Sequence, residues 1–100
     1  MTVPVVAIFR AKPGHEAKVE ELFRSVIAPT HAEEGCITYQ LNRDPEDAAR
    51  FVWTEEWESR ELLDRHLNAP HILKLFNEQL PGLIETSEVI ALTPVAGMRA

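Results

Sequence analysis

Hydrophobic residues alternate with polar ones, or run together, in four stretches of the chain, and these patterns predict four strands. Residues 3–11 are almost all apolar, which is typical of a strand buried on both faces. Residues 36–43 and 51–57 alternate with a period of two, the pattern of half-buried strands. A fourth strand is expected at residues 85–95, followed by a short tail at 97–100.

A helix is predicted between the first two strands. Apolar residues recur every three or four positions from His15 onward, with charged residues between them. Pro29 is expected to end or kink this helix, because it has no backbone N–H and its ring clashes with the preceding turn. Gly35 tolerates the left-handed conformation and is expected to stop the chain before the second strand.

Two further helical segments are predicted between the third and fourth strands. Ser59 is placed to cap the first of them with its side-chain oxygen. The inward stripe of this helix is expected to contain Leu62, Leu63, His66 and Leu67. Pro70 begins the second segment, at a position where its missing N–H has no effect on the helix. The apolar residues of the second segment are Ile72, Leu73, Phe76 and Leu80.

The predicted order is strand, helix, strand, strand, helix with an extension, strand. This is the split βαβ arrangement of ferredoxin-like α+β folds, with a four-stranded antiparallel sheet and helices on one face. We expect residues 1–100 to form a single domain, since this is close to the commonest domain length. The helices would leave the other sheet face bare. A bare apolar face favours a homodimer that packs sheet to sheet, as a dimeric α/β barrel.

Composition and charge argue against several classes of partner. The formal net charge of −6 disfavours nucleic acid and anionic membranes. Cys36 is the only cysteine, so the chain forms no intramolecular disulfide and no thiolate metal cluster. The sequence has neither a signal-peptide pattern nor an apolar run near the ~18 residues that span a membrane. We therefore expect a cytoplasmic protein.

Polar groups on an otherwise apolar wall predict a pocket. One face of the second strand is expected to carry Ile37, Tyr39 and Leu41. One face of the third strand is expected to carry Phe51, Trp53, Glu55 and Trp57. A buried glutamate and the inward His66 each need a hydrogen-bond partner or a function. Glu55 is placed either to orient His66 or to bond the backbone, and both interpretations stay open.

The motifs of common cofactor sites are absent from the sequence. It contains no GxGxxG, no GxxxxGK[ST] and no GxSxG. His66 and His71 lie five residues apart across Pro70, so they do not share a helix face as a metal-binding pair at i and i+4 would. A metal site built from His66, His71 and Glu55 is a less favoured alternative to a site without metal.

Several segments together carry a resemblance to a known family. They are AKPG at 11–14, EEGCITYQLNRDPED at 33–47, RFVWTEEWES at 50–59, and the spacing that extends to positions 66 and 71. Over residues 3–94 the chain resembles the antibiotic biosynthesis monooxygenase family. The resemblance implies a dimeric α+β barrel with one pocket per subunit, between sheet and helices. It also implies oxidation of quinols or polyketide-derived phenols by O₂, without flavin or metal.

The resemblance and the residue pattern together assign candidate roles. The catalytic candidates are His66, Glu55 and Trp57. The substrate-binding candidates are Tyr39, Trp53, Leu63, His71 and Phe76. This aromatic wall suits a small aromatic substrate, with O₂ as the second substrate and no cofactor. Structural alternatives stay open: His66 as a core histidine, the tryptophans and Tyr39 as packing residues, and His71 as a surface or capping residue.

Two other classes of function stay open. One is a different chemistry on the same fold, such as isomerisation of a small metabolite or haem degradation. Haem-degrading relatives carry an Asn, a Trp and an axial His at positions where this chain has Ala7, His66 and Phe76, so we expect no stoichiometric haem binding. The other class is a non-catalytic barrel that binds a small molecule or serves as a stress-associated structural dimer.

Overall fold

The computed structural model describes residues 1–99 and contains one four-stranded antiparallel sheet. The strands are β1 (Val3–Ala11), β2 (Cys36–Asp44), β3 (Asp47–Trp57) and β4 (Ile84–Ala91). Their order across the sheet is β2-β3-β1-β4, and each neighbouring pair is antiparallel. This is the ferredoxin-like α+β topology that the sequence predicts. The last strand ends four residues before its predicted end, and Ala100, the end of the predicted tail and domain, lies outside the described residues.

The helices follow the predicted order, with one division and one irregular turn. They are α1 (Glu16–Ser25), α2 (Ile27–His31), α3 (Arg60–Leu67), α4 (Pro70–Lys74) and a π-helical segment (Leu75–Gln79). The first predicted helix is divided at Val26, because the ring of Pro29 crowds the carbonyl of Ser25 four residues earlier. Ser59 caps α3 as predicted, since its side-chain oxygen accepts a hydrogen bond from the backbone N–H of Leu62.

The core lies between the sheet and the helices. Alternate residues of β1 and β3 point into it: Val5, Ala7, Phe9, Ala11, Phe51, Trp53 and Trp57. Phe23 of α1 meets Phe51 and Trp53 edge to face, with ring centroids 5.8 and 5.5 Å apart. Aromatic pairs of this kind contribute ~0.5–1.5 kcal/mol each beyond the area they bury. The helix-facing side of the sheet is therefore a tightly packed aromatic layer.

The opposite face of the sheet is only half-buried within a single chain. Along β1 the buried residues alternate with partly exposed ones such as Val6 and Ile8, and the neighbouring Val52 is also partly exposed. Ile90, paired with Val6, is 37% exposed. The prediction that β1 is buried on both faces is thus wrong for the isolated chain. The apolar residues on this open face support the predicted homodimer, which stays a prediction.

The face prediction for β2 is wrong at Ile37. The register of β2 on β3 shifts between Cys36 and Thr38, so the strand carries an irregularity there. Ile37 is consequently 48% exposed, whereas Tyr39, beyond the irregularity, is buried.

The inward stripes of the later helices also differ from the prediction. Leu67, Leu73 and Phe76 are 40%, 42% and 40% exposed. The buried residues are Ile72 of α4, Leu75 of the π-helical segment and Leu80, which follows that segment. The step of five from Leu75 to Leu80 is the π-helical repeat, marked by the hydrogen bond from the Leu80 N–H to the Leu75 carbonyl. This wider turn changes which side faces the core and leaves Phe76 at the rim, against Phe9.

Candidate functional site

The wall of the site is built from aromatic side chains on β2 and β3. The register places Tyr39 opposite Glu55, and Leu41 opposite Trp53. The Tyr39 and Trp53 rings stack with centroids 4.3 Å apart and an angle of 26° between their planes. Burial and the negative charge of Glu55 raise the pKa of the Tyr39 hydroxyl. Tyr39 therefore stays protonated near neutral pH.

His66 lies on the inner face of α3 and is 3% exposed. Its ring lies 4.5 Å from the Trp57 ring and 5.2 Å from the Tyr39 ring, between centroids. Burial lowers the pKa of His66, and the hydrogen bond and charge of Glu33 only partly oppose this effect. The imidazole is therefore neutral at pH 7, with one nitrogen protonated and the other carrying a lone pair.

The tautomer of His66 follows from its partner. Its Nδ1 lies 2.8 Å from Oε2 of Glu33. A carboxylate only accepts hydrogen bonds, so Nδ1 carries the proton and Nε2 is left as an acceptor. No buried side-chain nitrogen or oxygen in residues 1–99 lacks a partner. Nε2 makes no side-chain hydrogen bond in the described residues, so it is not fully buried, and His66 lines a cavity.

Glu33 and Thr30 extend this arrangement behind His66, and the sequence interpretation missed both. The same Glu33 oxygen lies 3.1 Å from Nε2 of His71, and that nitrogen lies 3.0 Å from Oγ1 of Thr30. Glu33 precedes Gly35, whose φ of 85° confirms the predicted left-handed position. A Cβ on Gly35 would lie 2.4 Å from Cδ1 of Leu62, so only glycine lets this turn approach α3. The one available signal was that a buried histidine needs a partner.

Glu55 faces the helices with Trp53 and Trp57, as the period of β3 predicts. Its Oε1 accepts a hydrogen bond from Nε1–H of Trp57 at 3.0 Å. Within residues 1–99 the side-chain hydrogen bond of Glu55 is to Trp57, and not to His66 or to the backbone as the sequence suggested. Burial raises the pKa of Glu55 to about 7, opposed by the Trp57 hydrogen bond and reinforced by the charge of Glu33.

A small apolar cavity lies between this wall and the helices. Six of the predicted site residues line it: Tyr39, Trp53, Glu55, Leu63, His66 and Phe76. Trp57 and His71 do not line the cavity. Trp57 packs on the His66 ring, and the centroid of the His71 ring lies 6.4 Å from that of the His66 ring. The cavity volume is about 30 Å³. Since an engineered cavity that binds benzene measures ~150 Å³, the walls must move before a ring can enter.

Two other features border this region. A larger open groove of about 490 Å³ lies on the surface between the first two helices and β2, and includes Arg24 and Ile37. It contains no buried carboxylate, so the smaller cavity is the better candidate for chemistry.

Glu33, His66 and His71 each offer a ligand atom within 4.8 Å of the other two, a set able to hold a metal ion. The metal site considered from the sequence had Glu55 as its carboxylate ligand, whereas the structure places Glu33 next to the two histidines.

The fold and cavity define a ferredoxin-like α+β protein with an aromatic pocket between sheet and helices. Residues 2–78 match the family model described as "Antibiotic biosynthesis monooxygenase". The chain belongs to the antibiotic biosynthesis monooxygenase family, which confirms the family suggested by the sequence resemblance. No helix in residues 1–99 combines the length and apolar character needed to span a membrane.

Individual relatives agree with this assignment. The "Putative monooxygenase Rv0793" of Mycobacterium tuberculosis is 39% identical over 98 residues, covering 96% of this chain and 93% of that protein. Its solved structure superposes with a TM-score of 0.90 at 30% identity, over 99% of this chain and all of that one. The "Probable quinol monooxygenase YgiN" of Escherichia coli K12 is 30% identical over 100 residues, covering 90% of this chain and 95% of that protein. The structure of PA3566 from Pseudomonas aeruginosa gives a TM-score of 0.88 at 32% identity, over 95% of each chain.

Proposed function

We propose that the chain is a monooxygenase that oxidises a quinol or a related electron-rich phenol with O₂, without flavin or metal in the reaction. The observation that carries the proposal is that two side chains able to accept a proton, His66 and Glu55, line one aromatic cavity, and that the Nδ1 hydrogen bond of His66 leaves its Nε2 as the acceptor. The relatives named as monooxygenases support the reaction class, and the one named as a quinol monooxygenase supports the substrate class.

The first step is removal of a phenolic proton by Nε2 of His66. The resulting phenolate is a stronger electron donor than the phenol and reduces O₂. A bond then forms between a ring carbon and oxygen, and the hydroperoxide loses water. Hydroquinone and O₂ give a hydroxyquinone and one water, so all four electrons that reduce O₂ come from the substrate. The reaction therefore requires no external reductant.

Glu33, Glu55 and Trp57 position and complement this base. The hydrogen bond from His66 Nδ1 to Glu33 keeps the lone pair of Nε2 directed at the cavity and stabilises the imidazolium that forms. Glu55, with a pKa of about 7, both accepts and donates protons near neutral pH. Trp57 holds Glu55 through its indole N–H and packs on the His66 ring. The stacked Tyr39 and Trp53 offer a flat surface to the substrate ring.

Entry of a substrate requires displacement of the cavity rim. Leu67, Phe76 and Val89 line the cavity and are 40%, 40% and 54% exposed, so they move at a smaller loss of packing than the buried wall. Phe76 belongs to the π-helical segment, whose hydrogen-bond pattern is less regular than that of an α-helix. When the rim closes over the substrate, it excludes water from the reduced-oxygen intermediates.

Oxygen uptake with a panel of substituted hydroquinones and phenols tests the proposal, with heat-denatured protein as the blank for autoxidation. Labelling with ¹⁸O₂ should place one heavy oxygen atom in the product. His66→Ala should slow turnover by ~10²–10⁴, the typical effect of a lost general base. His15→Ala is the matched control, because His15 is exposed and does not line the cavity.

Two results would contradict the proposal. The reaction class is wrong if no compound in the panel raises oxygen uptake above the blank. The role of His66 is wrong if His66→Ala lowers the denaturation midpoint but keeps normal turnover per folded molecule, because a packing histidine behaves in that way.

A further inference from the structure

Three side chains of the types that commonly bind metals meet at the Nδ1 side of the His66 ring, and His66 is one of them. Glu33 comes from the turn before β2, His66 from α3 and His71 from α4. Glu33 Oε2 lies 2.8 Å from His66 Nδ1 and 3.1 Å from His71 Nε2. The proposed reaction uses His66 through its other nitrogen and assigns no chemical step to His71.

We propose that Glu33, His66 and His71 form a binding site for a divalent transition-metal ion of the Zn²⁺ type. Two imidazole nitrogens and one carboxylate oxygen are a usual zinc donor set that leaves a fourth position open. Ligand atoms ~2.1 Å from a tetrahedral zinc ion are ~3.4 Å apart. The Glu33 oxygen therefore has to separate from the two nitrogens by ~0.3–0.6 Å, and the two nitrogens, which lie within 4.8 Å of each other, have to settle at ~3.4 Å. The ion takes the place of the proton that His66 Nδ1 now donates to Glu33, and of the hydrogen bond between His71 Nε2 and Thr30.

The cluster is accessible from solvent without passage through the cavity. The side chains of Glu33 and His71 are 17% and 24% exposed. Glu33 also lines an open surface groove with Arg65 and Pro70. Arg65 lies 3.6 Å from Glu34, so its charge is partly balanced. Thr30 Oγ1, 3.0 Å from His71 Nε2, is placed to hydrogen-bond a water molecule in the fourth position.

Metal binding would change the chemistry of the cavity through His66. An ion held by Nδ1 leaves the imidazole proton on Nε2, the nitrogen that borders the cavity. His66 then donates a hydrogen bond to a bound phenol and no longer accepts its proton. The ion itself stays on the far side of the ring and does not touch the substrate. Inhibition by zinc is the consequence, and this part of the inference rests on the proposed function.

Calorimetric titration of the chelator-treated full chain with ZnCl₂ tests the site directly. One zinc ion per chain should bind, and Glu33→Gln and His71→Gln should each weaken the affinity at least tenfold. His15→Gln should keep the wild-type affinity. His71→Gln changes a partly exposed side chain, and the urea midpoint of each variant confirms its folding. The site is refuted if no saturable binding is seen at one ion per chain. It is also refuted if all variants bind zinc with equal affinity, because zinc would then be bound elsewhere on the chain.

Two further readouts separate this inference from the proposed function. Long-range ¹H–¹⁵N spectra of the His66 ring should show the proton moving from Nδ1 to Nε2 as zinc is added. Quinol oxidation should fall in proportion to zinc occupancy in the wild type, and at higher zinc concentrations in His71→Gln. Zinc binding without quinol oxidation in the metal-free protein overturns the proposed function alone. Oxidation without zinc binding overturns the site alone, and binding that leaves turnover unchanged overturns the inhibition.

Discussion

Replacing Glu55 with glutamine should change how the free energy of unfolding depends on pH. In the folded chain burial raises the pKa of Glu55 from 4.5 to about 7. Below pH 4.5 this carboxyl is protonated in both folded and unfolded chains. Between pH 4.5 and 7 the unfolded chain loses the proton while the folded chain keeps it, so the free energy of unfolding falls as pH rises. Above pH 7 both forms are ionised and the effect is complete.

The size of the effect follows from the two pKa values. Each unit of difference corresponds to 1.36 kcal/mol, so the shift of Glu55 represents a loss of about 3 kcal/mol of stability between pH 4.5 and 8. The glutamine side chain carries no charge at any pH, and its amide oxygen still accepts the hydrogen bond from Trp57. The variant should therefore become more stable relative to wild type as pH rises, by up to about 3 kcal/mol at pH 8.

Urea denaturation at pH 4.5, 6, 7 and 8 measures this difference, provided that the m-value is the same in both proteins. Glu56→Gln is the matched control, because Glu56 is the next residue of β3 and points to the other face of the sheet. The reasoning is refuted if the stability difference between Glu55→Gln and wild type does not vary with pH, or if Glu56→Gln shows an equal slope. The first result would mean that Glu55 is not held in a low-dielectric site, and the second that the slope is not specific to its buried position.

Three other predictions concern the turn, the assembly and haem. Gly35→Ala should lower the free energy of unfolding by ~2–4 kcal/mol in chemical denaturation, because the new side chain would have a positive φ and would clash with Leu62. Gly14→Ala is the control: Gly14 has the same φ of 85° but nothing within 4 Å, so the loss should be only ~1 kcal/mol. Equal losses would show that the turn is free to move away from α3. Sedimentation equilibrium at micromolar protein should give twice the chain mass, through an interface above ~1,000 Å² on the open sheet face, and Ile8→Asp should shift it towards monomer. A stable wild-type monomer contradicts this assembly. Titration with haem should give no saturable Soret shift at one haem per chain, since Phe76 offers no axial ligand; a sharp shift at that ratio would overturn the expectation.

Local patterns in the sequence determined the strands, the helices and one wall of the site. The period of two in β3 placed Trp53, Glu55 and Trp57 on the same face, because successive side chains of a strand point to opposite sides. Ser59 and Gly35 marked a helix start and a left-handed turn for reasons that act within a few residues. The order of these elements was then sufficient to predict the ferredoxin-like sheet, because few topologies accommodate it.

Only the tertiary structure decided which groups meet. Glu33 and His66 are 33 residues apart, and their hydrogen bond depends on how closely the Gly35 turn approaches α3, which no local pattern encodes. Ile37 and Phe76 moved to the surface because a register shift and a π-helical turn each break the period that predicted them inside. Periodicity indicates which face of an element is apolar. The pairing of buried polar groups depends instead on distances between elements, and these are set by the packing of the whole chain.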